Sequence, residues 1–331
     1  MKIAILGSGV AGLSAARELK RHGIKAVLFD KSRGVGGRMS TRYAGDWEFD
    51  HGAQYFTAQD PDFQDEIVTA IAAGVVAKWN AKALYLKTGE LSADTGRARF
   101  VGQPRMNSLP KFWAEGLDVN LGRRLVSVEK DETWTLAFAD GSTETGFDGV
   151  ISTLPPAQAA AILPNDFSER AAVETAEMHV CFCLMIGLSA PINPGWDTLR
   201  VKSLPIDWIS VNNAKPGRSQ DVGTLIVHSE AAWSDANAET DRARVQAVMI
   251  KAASALLGLP LEEAPHIALH RWLYAANKTS PDVPCLQDEG LVVAGDWCLG
   301  GRVQGAWLSG RAAARAFVLI HHPFATPIDE C

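Results

Sequence analysis

Residues Gly7-Ser8-Gly9-Val10-Ala11-Gly12 set three glycines at a spacing that lets a backbone close around an anion. Gly7 permits a tight turn, Gly9 lets a phosphate approach the main chain, and Gly12 lets a following helix pack closely. The chemistry this suits is capture of a dinucleotide pyrophosphate. Val10 and Ala11 open the helix whose N-H groups and positive dipole end would face that anion. Asp30 follows about 20 residues on, where a carboxylate can hold ribose hydroxyls.

Those residues need a strand, a turn, a helix and a second strand in register, and the sequence provides them. Residues 2–6 read as a buried strand, Ala11 to Arg21 carries apolar residues at helical spacing, Gly23 closes the helix, and Ala26 to Phe29 reads as a second buried strand ending at Asp30. Beyond the acid, Lys31, Gly34, Gly36, Gly37 and Arg38 would bring a second glycine turn and a guanidinium to the same phosphates. Lys31 and Arg33 leave open a contact with the 2'-phosphate of NADP. At the other end, Gly290 to Asp296 reads as a buried strand running into an acidic turn, and Gly305-Ala306 begins a small-residue closing helix.

These segments resemble the flavin-containing amine oxidase superfamily. The resemblance implies noncovalent FAD, with the Gly37-Arg38 turn at the cofactor, the carboxylate of Gly295-Asp296 on the ribitol chain, and the helix at Gly305-Ala306 aimed at the flavin pyrimidine edge. It also implies that the strand holding Val126 passes the adenine and that the return strand ending at Thr153 stops beside the diphosphate. Three further stretches, Phe49-Asp50-His51-Gly52-Ala53-Gln54-Tyr55-Phe56-Thr57, His270 to Ala275, and Gly295 to Trp307, resemble bacterial renalase-like FAD-dependent oxidases. Ala53 and Gln54 join the cofactor set on that basis. The finer resemblance implies oxidation of misreduced nicotinamide dinucleotides, the 2- and 6-dihydro isomers of NAD(P)H, with O2 as acceptor, a form of NAD(P) metabolite repair.

Composition sets the outer limits. With 331 residues, 47% of them hydrophobic, the chain can bury one large or two medium cores. A formal net charge of −6 without a basic run argues against nucleic acid as a partner. No stretch approaches the roughly 18 apolar residues of a spanning helix, and the opening apolar run is the first strand rather than a secretory leader. The expectation is a cytoplasmic protein that engages no membrane. Five cysteines make no disulfide framework. Cys181 and Cys183 would share one strand face as core residues, Cys298 would pack, and Cys285 and Cys331 are dispersed. No metal site is expected.

The expected fold class is α/β. A Rossmann-like FAD-binding domain (1–58, 103–156 and 273–331) is interleaved with a mixed α+β substrate domain (59–102 and 157–272), as in amine oxidase or p-hydroxybenzoate hydroxylase-like two-domain architectures. The pattern predicts a helix over 62–73, strands over 75–79, 83–86, 118–121, 124–129, 133–139, 146–153, 178–188, 207–212 and 223–228, and a helix over 239–257.

A dihydropyridine substrate needs no general base, because aromatisation drives hydride transfer to the flavin. The protein must exclude water and stack and hold the substrate. Tyr55, His228, Arg271 and Trp297 are the candidate pocket residues, chosen for stacking or charged donors in or beside the motif segments. Four alternatives stay open: an amine oxidase, for which 4 tyrosines offer no convincing aromatic pair, a desaturase-like carotenoid enzyme, disfavoured by the lack of an apolar membrane-docking segment, a flavin-binding sensor with little turnover, and a nicotinamide dehydrogenase using the first glycine turn for NAD. The partners expected are the dinucleotide and O2, with no oligomeric state readable.

Overall fold

The computed structural model describes residues 1–321. Cys331 lies outside them. The chain forms two compact units, one of Met1–Gly37, Pro110–Glu177 and the described residues from Asn277 on, the other of Arg38–Leu109 and Met178–Ala276.

The first unit is built on a six-stranded sheet. Its hub is Lys2–Leu6, where Ile3, Ala4 and Ile5 have 0% exposure; a strand covered on both faces reads as an uninterrupted apolar run. Lys25–Asp30 and Gly149–Ser152 flank it in parallel, Asp118–Leu121 and Leu291–Val293 extend the sheet in parallel, and Leu286–Asp288 closes one edge antiparallel. The helices Val10–Arg21 and Arg302–His321 pack together. Their approach is close because Gly310 has no side chain: a Cβ there would meet the Ala11 carbonyl oxygen at 2.1 Å. The Ser14 hydroxyl donates to the Trp307 carbonyl at 2.7 Å. This is the Rossmann-like mixed α/β arrangement that the opening glycine pattern predicts.

One expected strand divides in two. Thr143–Phe147 belongs to an antiparallel three-stranded sheet with Leu125–Lys130 and Trp134–Phe138, whereas Gly149–Ser152 joins the parallel sheet. The break is Asp148, whose carboxylate accepts from the Lys2 backbone N-H at 2.6 Å and so ends one run where the other begins.

The second unit carries a seven-stranded sheet in the order His266–Asn277, Met178–Leu188, Gly223–Ser229, Ile206–Val211, Thr198–Ser203, Ala83–Lys87, Glu90–Ala93. Side chains alternate between its faces. One face, with Leu184, Ile186, Leu199, Ile209, Leu225 and Val227, forms the main core with Val245, Met249, Ile250 and Ala253 of the helix Arg242–Leu257. That helix starts at Asp241, whose carboxylate accepts from the N-H groups of Ala243 and Arg244, and ends at Gly258 with φ 65°. The opposite face carries Cys183, Met185 and Ile226 against Phe49 and Trp47.

The compact units exchange the chain at points other than those expected. Residues 38–58, 103–109 and 273–276 group with the second unit and 157–177 with the first. The first shift has a visible cause in the hairpin of Arg42–Ala44 and Trp47–Phe49, whose Trp47 and Phe49 pack on the second unit's sheet. No helix among the described residues is long and apolar enough to cross a membrane.

Candidate functional site

In the first unit the glycines divide by what demands them. Gly7 has φ 101°, in the left-handed half of conformational space where a side chain is strained. A Cβ on Gly12 would sit 2.0 Å from the Gly7 carbonyl oxygen, so the turn itself forbids one. Gly9 differs. Its φ is −72°, and a Cβ would meet nothing within 4 Å. Packing leaves Gly9 free to be any residue, so the space in front of it is room for a ligand. The helix beginning at Val10 and Ala11 has no side-chain cap and no acid in its first turn, which leaves its positive end to an external anion.

Asp30 is tied into this turn. One carboxylate oxygen accepts from the Ser8 N-H and hydroxyl, each at 2.7 Å, and the other from the Ser32 N-H at 2.8 Å. A carboxylate offers about four acceptor positions, which leaves one for a ribose hydroxyl. Gly37 comes within 3.5 Å of the Gly9 Cα by its notional Cβ, and the Gly36 N-H donates to the Ser8 carbonyl at 2.9 Å, so the second glycine turn docks on the first. These features fit a dinucleotide.

The other expected cofactor residues take varied places. Thr153 braces the turn, its hydroxyl donating to the Leu6 carbonyl at 2.9 Å. Val126 is 47% exposed on an edge strand, at a register shift that leaves it without an opposite residue. Asp296 lies buried in a 3-10 turn just before the helix holding Gly305 and Ala306. Lys31 is exposed and reaches the Gln158 side chain at 3.2 Å. Arg38, Ala53 and Gln54 fall in the second unit. The Arg38 guanidinium donates to the Ala275 carbonyl at 3.1 Å, while its own carbonyl accepts from the Ala53 N-H at 2.8 Å. Gln54 is buried, with its amide nitrogen on the Asp50 and Gly52 carbonyls at 2.6 and 3.0 Å.

In the second unit, a row of directly opposed residues crosses the sheet face away from the helix: Cys183, His228, Trp208 and Arg200. The next row is Met185, Ile226, Ser210 and Thr198. Tyr55 sets its ring 5.7 Å from that of Trp208. The segment after Phe49 brings His51 over this face, where its carbonyl accepts from Trp272 Nε1 at 2.9 Å and lies 3.2 Å from His228 Nε2. His51 stacks on Trp272 at 5.0 Å, and His270 stands edge-on to both, 5.0 Å from His51 and 4.4 Å from Trp272.

Burial chiefly keeps these imidazoles uncharged. It pushes His51 down to about 4, with His270 acting in the same direction. His228 is likewise held at about 4 by burial, against the pull of the His51 carbonyl. Burial also lowers His270. Buried polar atoms on this face include Trp208 Nε1, Ser210 Oγ, Thr198 Oγ1 and His266 Nε2, which make no hydrogen bond among the described residues. Each such orphan costs about 1–3 kcal/mol unless water or a ligand satisfies it.

Of the four expected pocket residues, Tyr55 and His228 share this face. Arg271 does not. Strand alternation sends His270 and Trp272 one way and Arg271 the other, where its guanidinium donates to the Ala238 carbonyl and lies 3.4 Å from Glu239. Trp297 belongs to the first unit, is 1% exposed, and donates its indole N-H to the Leu154 carbonyl at 3.1 Å, which makes it a packing brace. Sequence reasoning passed over His51, Trp208 and Trp272 as site residues. The signal was the period of two in His266-Ile-Ala-Leu-His270-Arg-Trp272, which puts rings on one face and aliphatic chains on the other.

Comparison with known proteins accords with this geometry. Residues 5–68 match the model of the NAD(P)-binding Rossmann-like domain, and residues 65–318 match that of the flavin containing amine oxidoreductases. The chain belongs to the flavin containing amine oxidoreductase family. Among solved structures, this family member is similar to cyclohexylamine oxidase from Brevibacterium oxydans, with TM-score 0.76 and 13% identity over 97% of this chain and 99% of that one. It also resembles reduced UDP-galactopyranose mutase, with TM-score 0.80 and 14% identity over 96% and 94% of the two chains. At such identities the likeness is one of fold. A curated relative, 4,4'-diapophytoene desaturase of Staphylococcus aureus, is 37% identical over 70 residues, 21% of this chain and 14% of the desaturase. The amine oxidoreductase chain thus matches about a seventh of that relative's length.

Proposed function

We propose that this chain is an FAD-dependent oxidase of misreduced nicotinamide dinucleotides, taking a hydride from 2- or 6-dihydro-NAD(P) to return NAD(P)+ and passing the electron pair to O2 as H2O2. The observation that carries the reading is the ring face of the second unit, where His51, His228, His270, Trp208, Trp272 and Tyr55 gather with buried imidazoles held neutral.

FAD, when bound, supplies the two-electron acceptor. Gly9 and the first turn of the helix would hold its pyrophosphate, Asp30 its ribose and Asp296 its ribitol chain. Binding is noncovalent in this reading, since burial drives the Cys298 thiol up to about 12 and leaves no thiolate to attack a ring. On the second unit, flat indole and imidazole faces would stack the substrate ring and keep water from it. As the dihydropyridine loses hydride its ring becomes cationic. A neutral imidazole raises no repulsion against that charge, and an indole face attracts it, so the indole favours the transition state over the ground state.

The deciding experiment is anaerobic stopped-flow reduction of the yellow protein by 2-dihydro-NAD, 6-dihydro-NAD, ordinary NADH and a panel of primary amines. Rapid bleaching by a dihydro isomer alone is the expected result. Bleaching by an amine in its place overturns the reading in favour of an amine oxidase.

A further inference from the structure

The segment Asp50–Gln54 is fastened at both ends by one side chain. Lys215 is fully buried, and its Nζ lies 3.5 Å from Asp50 Oδ2, 3.1 Å from Gln54 Oε1 and 2.9 Å from Asn212 Oδ1. Asp50 is the centre of the fastening. It accepts from the Thr41 hydroxyl at 2.7 Å, from the Met106 N-H at 3.0 Å, and from Arg218 at 2.6 and 3.2 Å. Arg218 is itself spent on the Gly102 and Pro216 carbonyls at 2.6 and 2.7 Å.

Between the two anchored ends lies His51, and immediately after them Tyr55. Asp50 and Gln54 face the charged cluster, while the His51 carbonyl serves His228 and Trp272 on the ring face. The cluster is costly to bury, since two cations share one carboxylate and desolvation of each charge is only partly repaid. A neutral core would hold a loop more cheaply. The geometry therefore assigns Lys215 a task beyond packing: we propose that it is a positioning residue, fixing His51 and Tyr55 on the ring face so that the substrate ring is presented in one orientation. The inference rests on the dihydronicotinamide reading.

Lys215→Met removes the shared contact and keeps an unbranched chain; Lys215→Gln keeps an amide that can donate to Asp50 or Gln54. Each variant is purified with FAD and reduced anaerobically by the better dihydro isomer, with FAD occupancy and thermal midpoint measured in parallel. For Lys215→Met, the limiting reduction rate should fall by roughly tenfold or more, as loss of orientation predicts, with FAD occupancy retained and substrate affinity changed far less. Lys215→Gln should recover part of the rate. A purely structural lysine would lower the midpoint in both variants and leave the limiting rate of the folded fraction at the wild-type value; that result overturns the proposal. Should Lys215→Met fail to fold, Lys215→Gln together with Gln54→Leu, which severs the bond from its other end, carries the same comparison, and wild-type rates in both overturn it. A wild-type protein that neither isomer reduces removes the substrate reading and this inference together, whereas a reactive wild type with unaffected variants removes the inference alone.

Discussion

The Thr153 hydroxyl stands 2.8 Å from where a Cβ on Gly7 would lie, and a Cβ on Gly12 would come within 3.1 Å of the same oxygen. Thr153 thus fills the space that two of the three glycines leave open, and the third glycine is free of it. Gly12→Ala should therefore cost stability with or without flavin, because its methyl meets the Gly7 carbonyl oxygen at 2.0 Å. We expect about 2 kcal/mol or more in denaturant unfolding, the scale of an overpacked core.

Gly9→Val should behave in the opposite way. Its side chain enters open space, so the apoprotein should unfold at a denaturant concentration close to that of the wild-type apoprotein, but the purified variant should be nearly colourless. Full FAD occupancy in Gly9→Val would place the pyrophosphate elsewhere.

Asp296→Ala tests the far end of the same cofactor. The carboxylate is buried at the start of a 3-10 turn whose backbone bond, Gly301 N-H to the Asp296 carbonyl at 2.8 Å, does not need the side chain. The turn should persist while the FAD dissociation constant rises roughly tenfold, the worth of one charge-assisted hydrogen bond. An unchanged constant, read by fluorescence titration of apoprotein, would remove Asp296 from the ribitol role.

Arg271 and His228 sit on opposite faces of one sheet, so their alanine variants should separate. Arg271→Ala gives up a bond to the Ala238 carbonyl and should lower stability by about 1 kcal/mol with flavin reduction unaltered. His228→Ala should slow reduction. Equal slowing in both would mean that the face assignment does not govern reactivity.

Much of this arrangement was legible from residue order. The glycine turn, its strands and the closing helix obey local rules of φ, periodicity and spacing, so Gly7, Gly12 and Asp30 could be placed without coordinates. Strand Met178–Leu188 is legible in the sequence because an unbroken apolar stretch, Val180 to Ile186, forms its centre. The placement of Arg271 away from the ring face was hidden for a different reason: a motif marks a segment, and only strand parity decides which of two neighbouring side chains shares a face with His228. The bracing role of Trp297 was hidden because a ring's hydrogen-bond partner, here the Leu154 carbonyl, is set by a contact across 143 residues. The Asp50, Lys215 and Arg218 cluster is likewise invisible in sequence, as Asp50 lies more than 160 residues from both of its cations.

The buried imidazoles give the protein an acid limit that can be timed by its sign. His51 and His228 each fall from the usual 6.5 to about 4 in the folded chain. Between those values the unfolded chain binds protons that the folded one refuses, so stability is present above about 6.5 and drains away as the pH falls toward 4. At full extent the loss is roughly 3 kcal/mol per imidazole. Asp50 does not confuse this window. Burial would raise its carboxyl, but Lys215 and Arg218 outweigh burial and hold it at about 2, so its contribution begins to fail only below the usual 3.8. Urea unfolding at pH 7 and pH 5 should therefore show a clear drop for the wild type and a smaller one for His228→Gln, which has no proton to refuse. Equal wild-type stability at the two pH values would mean that the imidazoles are charged in the fold, and the neutral ring face on which the substrate reading depends would have to be given up.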